Sequence, residues 1–201
     1  KTIVAACAAL GAVESGLQVA VMAPTELLAD QHLRNFSAWL EPLGISVAGL
    51  SGKLNGRARQ DALEKIGSGR AAIIIGTQAL FQEGVEFADL GLIVVDEQHR
   101  FGVHQRLALR EKGRVGLRRP HQLIMTATPI PRTLAQSLYA DLDVSVIDEL
   151  PPGRKPIETV ALPSARRADV VSRIRDACTA GRQAYWVCPL IEESETLELE
   201  T

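Results

Sequence analysis

The feature that most restricts the fold is a series of short, almost unbroken apolar runs: "QVAVMAP" (18–24), "ISVAGLS" (45–51), "AAIIIGT" (71–77), "LGLIVVDE" (90–97), "HQLIMTAT" (121–128) and "VSVIDE" (144–149). They are rich in β-branched residues and do not alternate with polar ones, which is the pattern of strands covered on both faces. Helical patterns lie between them. In 25–41, Ala29, Leu33, Phe36 and Leu40 fall on one helical face, and Thr25 stands where an N-cap belongs. In 56–67, Ala58, Ala62, Leu63 and Ile66 form a similar stripe, ending at Gly67 as at a C-cap. Strands alternating with helices of this length predict an α/β fold with a doubly wound parallel sheet.

The 201 residues are enough for one full domain and part of another. At 151–156 the chain reads "PPGRKP", a stiff linker rather than the interior of an element. Beyond it, "IETVAL" (157–162) predicts a strand, 164–181 a basic amphipathic helix, and "QAYWVCP" (183–189) another strand. The expected domains are therefore 1–150, a linker at 151–156, and the beginning of a second α/β unit at 157–201.

Composition narrows the functional classes. Hydrophobic residues make up 46% and charged residues 23%, as in an ordinary globular chain. The net charge of −2 gives no global attraction to nucleic acid, so such binding must rest on local patches. No apolar run reaches the roughly 20 residues of a membrane span, and no signal peptide precedes the fold. Cys7, Cys178 and Cys188 have neither disulfide-frame nor zinc spacing. A reducing, cytoplasmic setting without membrane partners is expected. The cysteines, Trp39 and Trp186 are read most simply as core packing, with base stacking left open for Trp186.

In an open parallel sheet, ligands bind at the carboxyl ends of the strands. "IVVDEQHRFG" (93–102) puts Asp96 and Glu97 at such an end. One carboxylate there can hold magnesium while its neighbour polarises an attacking water; a lone Asp-Glu pair would more simply be a solvated strand end. The chain opens "KTIVAACAALGAVESG", in which Lys1 and Thr2 lead into a helix of small apolar residues. Lys-Thr at a helix N-terminus matches the tail of a phosphate loop, with Lys reaching the β- and γ-phosphates of ATP and Thr serving magnesium. Each half lends weight to the other.

Further strand ends carry similar groups: Pro24 and Thr25, Gly76 and Thr77, and Thr126 and Thr128 in "TATPIPRT" (126–133). Backbone amides, helix N-termini and Thr hydroxyls position phosphates without reading bases, although each alone reads as a cap or a turn. His99 and His104 lack zinc spacing, and a hydrogen-bonding role beside the carboxylates suits His99. The cluster Arg110, Lys112, Arg114, Arg118 and Arg119 fits a DNA backbone or a solvated loop.

The strings "KT", "APTELLADQH", "GTQAL", "DEQHRFG" and "TATPIPRT", in this order, resemble the tail of motif I and motifs Ia, Ib, II and III of superfamily 2 helicases. Longer strings, "VVDEQHRFGVHQRLALREKG", "DELPPGRKPIET" and "GRQAYWVCPLIEESE", resemble the RecG family of bacterial ATP-dependent DNA helicases, which remodel replication forks and recombination intermediates. The resemblance implies a RecA-like P-loop NTPase fold in 1–150, the start of a second RecA-like domain after the linker, ATP and Mg2+ as cofactors, and branched double-stranded DNA as partner. It implies catalytic roles for Asp96, Glu97 and His99, phosphate contact by Lys1, and magnesium binding by Thr2 and Asp96. Coupling of hydrolysis to DNA movement falls to His99, Thr126 and Thr128, and contact along the DNA backbone to Pro24, Thr25, Gln31, Gly76 and Thr77. A nucleoid-associated place in the bacterial cytoplasm follows. Transcription-repair coupling translocases share part of the pattern, and a non-hydrolysing nucleotide- or DNA-binding module is the reading from another class.

The 201 residues hold neither the glycines of motif I nor the wedge domain, the rest of the second lobe and the arginine finger that the resemblance supplies. Such a finger is worth on the order of 10³–10⁵ in rate. These residues alone are therefore expected to hydrolyse ATP weakly or not at all.

Overall fold

The computed structural model describes residues 1–52, 54–97, 119–127, 143–150 and 152–187. Two compact units divide the chain, Lys1–Leu142 and Asp143–Thr201.

The first unit is built on five parallel strands in the order β2-β3-β1-β4-β5. They are β1 (Gln18–Met22), β2 (Val47–Leu50), β3 (Ile73–Gly76), β4 (Leu90–Asp96) and β5 (His121–Met125). Among the described residues three helices accompany them: α1 (Thr2–Glu14), α2 (Glu26–Leu40) and α3 (Gly56–Gly67). Successive residues of a strand point to opposite faces, and both faces are covered here. Val19, Val21, Ile73, Ile75 and Val94 pack with Ala5, Ala6 and Ala9 of α1 and with Phe36 and Leu40 of α2. Ala20, Met22, Ile74, Ile93 and Val95 pack with Ala62 and Ile66 of α3 and with Leu80. Burial on both sides is why these strands read as continuous apolar runs.

Local chemistry sets the helix ends. Thr25 is extended and its Oγ1 accepts the Leu28 N–H at 3.3 Å, capping α2 as expected. Helix α3 runs to Gly67 with Ser68 at its C-cap, and the left-handed residue that turns the chain is Gly69 (φ +72°) rather than Gly67. In α3 the stripe holds for Ala62 and Ile66, whereas Ala58 is exposed.

Gly76 ends β3 where only a glycine fits. A Cβ there would lie 2.3 Å from the Leu50 carbonyl oxygen and 3.1 Å from Leu80 Cγ. Gly76→Ala is expected to cost about 1–3 kcal/mol through overpacking against backbone, read as a lower urea midpoint. A normal midpoint with weakened DNA binding would instead place the residue's value in DNA contact.

The second unit contains a 3₁₀ turn at Ser164–Arg166 and a helix, α4 (Arg167–Thr179), together the span expected to be one helix over 164–181. The strands expected at 144–149, 157–162 and 183–189 are not formed among the described residues. Val146, Ile157, Val160, Tyr185 and Val187 are exposed, so the apolar pattern is there without, among the described residues, a neighbouring strand to complete a ladder. The core-packing readings also change. Cys7 and Cys178 are exposed, Trp39 is 39% and Trp186 48% exposed, and Arg167 Cζ stands 5.7 Å from the Trp186 ring centre. Cys188 lies outside the described residues.

Candidate nucleotide site

The chain runs from β1 out to the β2 edge, returns through β3, then crosses to β4 and β5 on the other side of β1. Such a reversal opens a crevice at the strands' carboxyl ends, and Asp96 and Glu97 stand there at the end of β4.

Asp96 is held from two sides. Its Oδ2 is 2.8 Å from His32 Nε2, and its Oδ1 accepts the Glu97 N–H at 3.0 Å. Burial pushes the carboxyl pKa up, but the His32 hydrogen bond and charge, the Glu97 N–H and the Lys1 ammonium outweigh it, and the net result lies below the usual Asp value. A depressed folded-state pKa contributes stability above the unfolded value near 3.8, and this is lost as pH falls through the folded one. In metal-free, nucleotide-free protein, the stability advantage of wild type over Asp96→Asn is therefore expected to shrink as pH falls below about 4. Urea titrations across that range check this; an advantage unchanged at pH 3 would refute it.

Glu97 adopts φ +49°, alone among the described non-glycine residues in having a positive φ. Such a conformation costs on the order of 1–3 kcal/mol and concentrates at functional sites. It turns the side chain so that Oε1 is 3.7 Å from Lys1 Nζ and Oε2 accepts the Ala127 N–H at 3.3 Å. Lys1 is the N-cap of α1 and forms no side-chain cap, which leaves first-turn N–H groups to other partners. Lys1, at the start of α1, thus meets Glu97 at the end of β4. Ala127 lies between Thr126 and Thr128, so the loop after β5 reaches the same place. His99 and Thr128 lie outside the described residues, as do His104, Arg110, Lys112, Arg114 and Arg118.

Of the residues expected along a DNA backbone, Thr25, Gly76 and Thr77 already have structural duties. Thr25 caps α2, and Gly76 is packed against Leu50. The Thr77 hydroxyl donates to Glu26 Oε1 at 3.1 Å, so a phosphate bond from that hydroxyl would require an exchange of partners. Glu26 also accepts from the Ser51 hydroxyl and from the Gly52 N–H at 3.2 Å, tying the loops after β2 and β3 to the start of α2. Pro24 is half-buried beside them, and Gln31 is exposed on α2.

Two residues were absent from the sequence-based site. Glu26 follows the expected cap directly but offered no pattern of its own. His32 sits three residues after Ala29 and four before Phe36, within the apolar face of α2, and a polar residue in an apolar stripe was the signal available.

The donor set suits magnesium. Asp96 keeps a lone pair on each oxygen, and Thr2 offers a hydroxyl, both hard oxygen ligands. Among the described residues no group of three or more His, Cys, Asp or Glu could cage a metal; magnesium commonly binds through one or two carboxylates plus substrate phosphates and water. Among the described residues no helix is long and apolar enough to cross a membrane.

A family model for DEAD/DEAH box helicases matches residues 1–137. The ATP-dependent DNA helicases RecG of Pasteurella multocida (strain Pm70) and Escherichia coli (strain K12) are each 64% identical over 201 residues. RecG of Aquifex aeolicus is 49% identical over 200 residues. These matches cover all of this chain and 25–29% of the relatives' length. A solved structure of RecG bound to a three-way DNA junction matches with TM-score 0.74 and 41% identity, covering 94% of this chain and 25% of that one. The five parallel strands thus have the RecA-like helicase fold expected.

Proposed function

The chain belongs to the DEAD/DEAH box helicase family, and from that premise we propose that it is the motor segment of an ATP-dependent DNA helicase acting on branched double-stranded DNA. Residues 1–150 form the first RecA-like domain, 151–156 the linker and 157–201 the beginning of the second, in a bacterial, cytoplasmic and nucleoid-associated protein working in recombination and repair. The remainder of the polypeptide supplies the wedge and the second lobe.

One observation carries this reading most directly: Lys1 at the start of α1 and Glu97 at the end of β4 are brought within 3.7 Å. ATP phosphates would compete with Glu97 for the Lys1 ammonium, and the uncapped first turn of α1 would add N–H groups and the helix dipole. Thr2 and Asp96 would hold magnesium, which when bound supplies charge neutralisation at the phosphates. Glu97 would take the proton of the attacking water on its carboxylate, with His99 as a further catalytic residue. Through Ala127 N–H, Glu97 also touches the loop of Thr126 and Thr128, a direct route from hydrolysis to the DNA-facing loops. Pro24, Thr25, Gln31, Gly76 and Thr77 would lie along the DNA backbone.

The test is ATP hydrolysis by the full-length protein with and without forked DNA. Strong stimulation by the fork is expected, and little turnover from the 201 residues alone. ATP binding without DNA-stimulated hydrolysis would replace this reading by that of a binding module.

A further inference from the structure

We propose that His32 is a positioning residue for the metal-binding carboxylate: its buried imidazole fixes the rotamer of Asp96 so that the carboxylate's remaining lone pairs are set for the cation. The proposal rests on the reading of Asp96 as a magnesium ligand. His32 is 5% exposed, and its Nε2 lies 2.8 Å from Asp96 Oδ2. The other oxygen, Oδ1, accepts the Glu97 N–H, so each carboxylate oxygen receives one bond from the protein and keeps one lone pair. Partners of this kind orient ligating carboxylates and hold them in productive geometry.

The imidazole is itself restrained. Phe36, one turn along α2, meets its ring edge-on at 6.3 Å and 86°. Helix α2 is capped by Thr25 and seated on the sheet by Phe36 and Leu40. Packing alone is the simpler account of a buried histidine, but it does not fit well here. Nδ1 is buried with no hydrogen-bond partner among the described residues. A leucine would fill the same face of α2 without desolvating an imidazole, so the advantage of histidine lies at Nε2, in the bond to Asp96.

The experiment measures binding of a fluorescent ADP analogue to the full-length protein across a Mg2+ titration and in EDTA. It compares wild type with His32→Leu, which removes the donor, and with His32→Gln, whose side-chain N–H can reach the same oxygen. His32→Leu is expected to raise the half-saturating Mg2+ concentration by about 10–100-fold with unchanged binding in EDTA. His32→Gln should return most of that loss. A wild-type Mg2+ dependence in His32→Leu would overturn the proposal. Equal loss of binding in EDTA by both variants would assign His32 to folding alone and overturn it too. Absence of any Mg2+ effect in wild type would instead reject the reading of Asp96, and the proposal with it.

Discussion

Glu97→Gln is expected to lower DNA-stimulated ATP turnover of the full-length protein by about 10²- to 10⁴-fold, the usual worth of a positioned general base, while nucleotide binding persists. The substitution separates proton acceptance from position. A glutamine amide oxygen can still accept the Ala127 N–H, which Glu97 Oε2 holds at 3.3 Å, so the tie to the loop after β5 is retained. Glutamine meets the φ of +49° at about the same cost as glutamate. What is lost is the negative charge, and with it the ability to take a proton from water and the attraction for Lys1 at 3.7 Å. Releasing Lys1 frees its ammonium for phosphate, so nucleotide affinity should stay level or rise. Single-turnover hydrolysis beside equilibrium nucleotide binding checks both halves. Turnover within about threefold of wild type, far short of the loss a general base implies, would remove Glu97 from the chemistry and point to a base supplied elsewhere in the polypeptide.

Glu97 also shows how far sequence reasoning reaches. The pair Asp96-Glu97 could be placed at a strand end because "LGLIVV" before it is apolar on both faces of the sheet, as the packing of Ile93 and Val94 into opposite layers bears out. The start of α2 was legible for a local reason: Thr25 and the Leu28 N–H it caps are three residues apart. The contacts that complete the site are not local. His32 and Asp96 are 64 residues apart in the chain, and Glu26 and Thr77 are 51 apart, so no spacing rule connects them. The positive φ of Glu97 was equally hidden, since nothing in a glutamate announces a left-handed backbone. The strands expected in the second unit and not formed among its described residues have the opposite cause. "IETVAL" and "QAYWVCP" carry the right residues, but a strand is defined by its neighbour, and propensity alone does not provide one.

Gln18 is a buried polar side chain whose loss should cost the fold heavily. It is 4% exposed at the start of β1, where the register against β4 shifts. Its amide nitrogen donates to the Ile66 carbonyl at 3.0 Å and to the Ala71 carbonyl at 2.8 Å. Its oxygen accepts the Ala88 N–H at 2.7 Å and the Asp89 N–H at 3.2 Å. All four capacities of the carboxamide are used, binding the end of α3, the approach to β3 and the approach to β4 to one central strand. Gln18→Leu keeps similar bulk but strips the side-chain partner from the Ala71 carbonyl and from the Ala88 and Asp89 N–H groups at once, while the Ile66 carbonyl keeps the Gly69 N–H at 3.1 Å. Each orphaned buried group costs about 1–3 kcal/mol; because neighbouring losses do not simply add, about 3–5 kcal/mol in total is expected. Gln18→Glu should be worse at neutral pH, since it keeps the acceptors but turns a carboxylate towards two carbonyl oxygens. Burial and those oxygens would raise the pKa of the introduced acid in the folded state, so its stability should recover as pH falls towards that raised value. Urea midpoints at two pH values measure both effects. A loss under about 1 kcal/mol for Gln18→Leu, no more than a single typical hydrogen bond, would mean that these backbone groups find other partners and that the clip does not hold the sheet together.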